Sequence, residues 1–283
     1  MTTVACLGVG RIGGEVAFVS ALRKFADELV LFDISEPLQH AQKLDIIHGM
    51  DIPVSTDTAD LKDADYCILS AGYSRSPDIK TRAELFDRNL PIAKESAELL
   101  KGFSGKLIVV TNPMDVFTWY FAKHTDLDEG QVIGFGGQLD SRRFNVALRS
   151  MGIDAKSVVL GEHGEHQVPL FSHLDIEVPI AVREEILIGL RSSSMPVIKG
   201  KGGTVFGPAY NIVSMMEKIE KGKKITCSLP ANGAYGIDGC SIGLPAVVTK
   251  NGAKIDESLK FDPWESEKLL EAAEYLKGLC RRV

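Results

Sequence analysis

The sequence predicts an α/β protein: a doubly wound parallel sheet over residues 1–137, then a mixed α+β unit over residues 138–283. Three observations carry this. Short, unbroken apolar runs recur through the first half, as they do in parallel strands covered on both faces. Longer amphipathic stretches separate them, the signature of strand–helix–strand units. Past residue 138 the pattern changes to turn-rich, alternating segments mixed with helices.

In order, the predicted strands are VACLGV (4–9), LVLFD (29–33), YCILSA (66–71) and KLIVVT (106–111). Between them, residues 11–26, 37–48 and 83–101 carry helical patterns, the last with Pro91 in its interior. DSRRFNVALRSMG (140–152) reads as a helix ending on Gly152. SVVLGEHGEHQVPLFSHLDIEVP reads as strands and turns, followed by helices over 183–198 and 208–221. The stretch 228–255 is turn-rich, and its Lys-Asn-Gly is a hairpin signal. Residues 264–281 close the chain with an amphipathic helix.

Composition narrows the function classes. The chain has 283 residues, 45% of them apolar, which is enough for a sizeable core. A net charge of -6 and a pI near 5.6 argue against a nucleic-acid partner. The five cysteines form no CxxC pair and read as buried apolar groups in a reducing compartment. MTTVACLGVG lacks the basic and apolar regions of a signal peptide, and LIVVTNPMDVFTWYFA is interrupted by Pro113 and Asp115. The expectation is a cytoplasmic protein with no membrane partner.

Gly8-Val9-Gly10-Arg11-Ile12-Gly13 gives a G-x-G-x-x-G pattern between the first strand and the first helix. In that context Gly8 allows a tight turn, Gly10 lets backbone amides approach a diphosphate, and Gly13 lets helix and strand pack closely. The anion would rest on the helix N-terminus. Asp33 ends the second strand, where a carboxylate accepts bonds from ribose hydroxyls and repels a 2′-phosphate. The first part is thus Rossmann-type, with NAD as the expected cofactor.

The chain has six histidines, and His163 stands out between Glu162 and Gly164. His163 and His166 make an HxxH pair without the frame or third ligand of a metal site, so no metal is expected. Asp140 and Arg143 share one helix face. An aspartate can orient an imidazole, and an arginine can grip a carboxylate through two parallel bonds. Taken alone, Asp140 also suits a helix cap and Arg143 a surface ion pair.

The order GVGRIG, Asp33, AGYSRSPDIKTRAELFDRN, TNP, LDSRRF, GEHGE and KGGTVFGPA resembles the lactate/malate dehydrogenase family over the whole chain. The resemblance implies a 2-hydroxy-acid dehydrogenase, most like a malate enzyme, working as a homodimer or homotetramer. It implies that His163 exchanges the proton at the substrate oxygen, that Asp140 orients it, and that Arg143 binds the C1 carboxylate. Arg82 would polarise the carbonyl and Asn112 would contact substrate and nicotinamide. Arg75 falls where malate and lactate enzymes differ. Cofactor contacts are implied at Gly8, Gly10, Arg11, Ile12, Gly13, Asp33, Ala71, Gly72, Asn89, Val110, Thr111 and Asn112. A guanidinium at position 75 would be paired on oxaloacetate and stranded on pyruvate, which favours the dicarboxylate malate/oxaloacetate. Six residues separate Arg75 from Arg82 where the family pattern has five. A lactate enzyme, an NAD-requiring glycosidase and a non-catalytic dinucleotide sensor are the competing readings.

Overall fold

The computed structural model describes residues 1–74 and 82–283, the side chains of Arg82 and Ala83 excepted. β1 (Thr3–Leu7) runs into α1 (Gly13–Leu22), β2 (Glu28–Phe32), α2 (Glu36–Gly49) and β3 (Val54–Ser55). β4 (Tyr66–Leu69), α3 (Arg82–Leu99), β5 (Lys106–Val109), α4 (Met114–His124) and β6 (Val132–Gly134) complete the first half. These strands are parallel in the order β3-β2-β1-β4-β5-β6. The order reverses between β1 and β4, and such a switch point opens a crevice at the carboxyl ends of the strands.

Unbroken apolar runs are needed because both faces are covered. In β1, Val4 and Cys6 pack into the core layer that holds Val16, Ala17, Ile212, Val213 and Met216. Ala5 and Leu7 pack into the opposite layer with Phe117 and Phe121. β1, β4 and β5 stop two residues short of the sequence expectation and β2 one, because Val9, Ala71 and Thr111 already belong to the loops over the crevice.

The second half holds α5 (Gly137–Ser150), β7 (Val159–Gly161), β8 (Gln167–Pro169), α6 (Ile180–Ser192) and α7 (Met195–Lys201). α8 (Phe206–Glu220), β9 (Lys224–Pro230), β10 (Ser241–Thr249), β11 (Gly252–Ile255) and α9 (Pro263–Cys280) follow. The expected single helix over 183–198 is two helices. Pro196 in the first turn of α7 has no backbone N–H to extend α6 and fits a helix start. The Lys250-Asn251 turn joins β10 to β11, with Thr249 opposite Gly252.

Among the described residues, eleven strands form one sheet. The antiparallel strands of the second half continue the parallel sheet through β6 and β9, with Gly134 opposite Ser228. A side chain at Gly134 would press on Met114, Thr118 and Ser228, so glycine lets the two halves meet. This junction brings α4, α5 and the β7–β8 hairpin together at the carboxyl ends of the parallel strands. All five cysteines are buried and free. Among the described residues no helix is long and apolar enough to cross a membrane.

Candidate active site

The phosphate loop is built by steric need. Gly8 has φ +84, and a side chain there would collide with the backbone of Ala71. A side chain at Gly13 would collide with the Gly8 carbonyl and approach Ser70 Oγ to 2.7 Å. A side chain at Gly10 would meet nothing within 4 Å. Two glycines therefore serve the protein's own packing, and the middle one keeps a space open in front of the α1 N-terminus. That space fits a diphosphate.

Asp33 closes the other end of the cradle. One carboxylate oxygen accepts from the Val9 amide at 2.9 Å, the other from the Ser35 amide at 3.0 Å. A carboxylate has about four acceptor sites, so each oxygen keeps capacity for a hydroxyl. Asp33 faces a cleft of about 570 Å³ that Glu36, Gln39, His40 and Thr56 also line. Two acids at this mouth favour ribose hydroxyls over a 2′-phosphate.

A second cleft of about 580 Å³ runs from Arg11, Gly72, Val110, Thr111 and Asn112 to Arg143 and His163. The Arg11 guanidinium donates to the Gly202 carbonyl and so ties the end of α7 to the phosphate loop. Ile12 sits at the N-cap of α1 and packs against the core. Ala71 is partly buried, and Gly72, with φ +144, lies against Thr111 and Asn89. Thr111 donates its hydroxyl to the Ala71 carbonyl at 2.7 Å. The Asn112–Pro113 peptide is cis.

Asn89 joins the loops that follow β4 and β5. It is fully buried, and its amide accepts from the Tyr73 amide at 2.7 Å. It also donates to the carbonyls of Tyr73 at 3.0 Å and Asn112 at 2.8 Å. Asn89 thereby ties together the two loops that border the cleft. Arg75 and the side chain of Arg82 lie outside the described residues.

The core of the site is a chain of three side chains. α5 presents Asp140 and Arg143 on one face, with Arg143 Nη1 donating to Asp140 Oδ1 at 3.1 Å. The β7–β8 hairpin brings His163 down onto them, its Nδ1 2.6 Å from Asp140 Oδ2. Asp140 is 2% exposed. Burial pushes its carboxyl up, but His163, Arg143 and Gln167 together hold it below the usual carboxylate range. The ionised carboxylate only accepts, so His163 Nδ1 carries the proton that faces Asp140.

Three further residues enter this constellation. A side chain at Gly136 would stand 2.6 Å from His163 Cγ, so glycine there makes room for the imidazole. Asp115, in the first turn of α4, accepts from the His163 backbone amide at 2.8 Å and fixes the hairpin's depth. Gln167 on β8 is buried beside Asp140. Spacing gave no signal for these: Gly136 is one of three glycines in GFGG, and Asp115 shows only as an acid inside an apolar run. His166 stacks on Tyr275 with ring centroids 4.3 Å apart.

The chain matches two family models end to end. The lactate/malate dehydrogenase NAD binding domain covers residues 2–134, and the α/β C-terminal domain of the same family covers residues 137–281. It is 33% identical to a malate dehydrogenase of Archaeoglobus fulgidus over 96% of each chain. It is 30% identical to an L-lactate dehydrogenase of a Geobacillus species, over 100% of this chain and 97% of the other. Among solved structures, the Archaeoglobus fulgidus malate dehydrogenase in complex with NADH superposes with a TM-score of 0.90 at 31% identity, covering 99% of both chains.

Proposed function

Because the chain belongs to the lactate/malate dehydrogenase family of NAD-dependent 2-hydroxy-acid dehydrogenases, we propose that it interconverts (S)-malate and oxaloacetate. The observation that carries the chemistry is the linked set His163, Asp140 and Arg143 at one end of the cleft that begins at the phosphate loop. Bound nicotinamide supplies or takes up the hydride. Arg143 pairs with the C1 carboxylate and sets the reacting carbon in place. His163 Nε2 gives its proton to the carbonyl oxygen in reduction and recovers it in oxidation. Asp140 holds the imidazole in the required tautomer and balances its charge when protonated. Arg82 stabilises the developing alkoxide, and Asn112 fixes substrate against the nicotinamide end.

The choice of a dicarboxylate rests on Arg75 as the sequence places it. A buried guanidinium left unpaired costs about 3–5 kcal/mol, which disfavours pyruvate by two or more decades. The similarity to L-lactate dehydrogenases over the full chain supports a second reading, in which pyruvate is the substrate. In either case residues 1–137 form the NAD-binding unit and lend Arg75, Arg82 and Asn112 to the substrate, while 138–283 supply Asp140, Arg143 and His163, in a cytoplasmic homodimer or homotetramer. The test is the oxidation of NADH and NADPH followed at fixed pH with oxaloacetate and with pyruvate. Preference for NADH and oxaloacetate is expected; preference for pyruvate would transfer the reading to lactate.

A further inference from the structure

Among the described residues, three arginines line the substrate cleft, and two of them are engaged. Arg143 is bonded to Asp140, and Arg11 to the Gly202 carbonyl. Arg191, in the last turn of α6, is not. It makes no hydrogen bond or ion pair, and its Nε is buried without a partner. Its two terminal nitrogens are likewise without a protein acceptor but retain access to solvent. A partly buried guanidinium of this kind lacks the pairing that usually offsets its lost hydration.

The surroundings place this charge near the reacting end. Leu190, the chain neighbour of Arg191, packs in the same apolar cluster as Phe144, the neighbour of Arg143. Leu190, Arg191 and Arg143 all line the one cleft with His163. The enclosed stem anchors the side chain in the wall, so little rotamer freedom remains to be lost on binding. A cation in the last turn also suits the α6 dipole. That interaction accounts for a charge at this position, yet it does not require one facing a cleft.

We propose that Arg191 is a second carboxylate-binding arginine of the substrate cleft, gripping the distal carboxylate of a dicarboxylate 2-keto acid from the α6 wall. This rests on the malate/oxaloacetate reading. It makes dicarboxylate recognition a property of the second half of the chain as well as of the segment that carries Arg75. The shared chemistry is that of an anion meeting a guanidinium end-on, and the cofactor's diphosphate is the other source of such an anion.

The test compares wild type with Arg191→Gln and Arg191→Lys. Steady-state rates are measured with oxaloacetate and pyruvate at saturating NADH, and NADH affinity by fluorescence titration. The expected result is a kcat/KM for oxaloacetate lowered at least ~10-fold more than that for pyruvate in Arg191→Gln, carried mainly by KM. Partial recovery is expected in Arg191→Lys, with NADH affinity unaltered. Weakened NADH binding with unchanged discrimination would assign the residue to the diphosphate. Unchanged values throughout would reduce it to a helix-end charge. A wild type that prefers pyruvate overturns the malate reading itself, whereas a wild type that prefers oxaloacetate with discrimination intact in Arg191→Gln overturns only the role of Arg191.

Discussion

Asp115 holds the backbone amide of His163 at 2.8 Å from inside the core, at 2% exposure. Burial, and then the charge of Glu162, push its carboxyl up to about 6 against the pull of Ser228 and the His163 amide. An unfolded aspartate titrates near 3.8. The rise of roughly two units corresponds to about 3 kcal/mol of native stability withheld when the group ionises. The folded state binds this proton more tightly than the unfolded one. The penalty is therefore absent below pH ~4, grows between about pH 4 and 6, and is complete above. Asp115→Asn keeps an oxygen for the His163 amide and removes the charge. Its amide nitrogen then replaces an oxygen near Ser228, whose hydroxyl can accept. The stability difference, variant minus wild type, should shift towards the variant by about 2 kcal/mol between pH 4.5 and pH 8, because about 1 kcal/mol of the penalty is already present at the lower pH. Urea unfolding of both proteins across this range, with equal m-values, measures it. A difference that stays flat with pH would show that Asp115 carries no ionisation cost, and the account of the buried acid beneath the hairpin would fall.

Other predictions concern the site directly. Asp140→Asn leaves one acceptor oxygen for two donors, Arg143 and His163, and removes the charge that balances the imidazolium, so kcat should fall by about 100-fold or more with NADH affinity retained; an unchanged kcat would break the proposed chain of roles. Gly10→Ala should fold with a wild-type Tm, because nothing lies within 4 Å of the added carbon, while NADH affinity falls; Gly13→Ala should lower Tm, since the added carbon meets the Gly8 carbonyl and Ser70. A Gly10→Ala protein with normal NADH affinity would show that the open space is not the diphosphate site. Arg75→Gln should move preference from oxaloacetate towards pyruvate by about 100-fold or more, read as the ratio of the two kcat/KM values; an intact ratio would remove Arg75 from the specificity argument.

The parallel half was legible because its signals are local. A strand such as VACLGV buries both faces, so its apolar run is unbroken. The glycines that follow sit at positions where a Cβ would strike Ala71 or the Gly8 carbonyl. The second half was less legible. Its helix over 183–198 splits at Pro196, and periodicity does not register a break whose flanks are both helical. Asn89 was expected at the cofactor from the family resemblance, not from any local pattern. Its side chain bonds to two backbones that leave strands β4 and β5, partners that no spacing in the sequence announces.

Most of the elements, the phosphate loop, the acid at the end of β2 and the candidate pair on the α5 face are legible in local pattern alone. These depend on periods of two and 3.6 residues and on turn chemistry, which act within a few positions. Only the tertiary structure decided that His163, 23 residues beyond Asp140, lies 2.6 Å from it. It alone showed that Gly136 makes room for the imidazole, that Asp115 anchors it from α4, and that Arg191 reaches the cleft without a partner. Those relations come from the continuity of one sheet across Gly134 and Ser228. Contacts between segments far apart in sequence are set by how packed layers meet, and no local pattern encodes that.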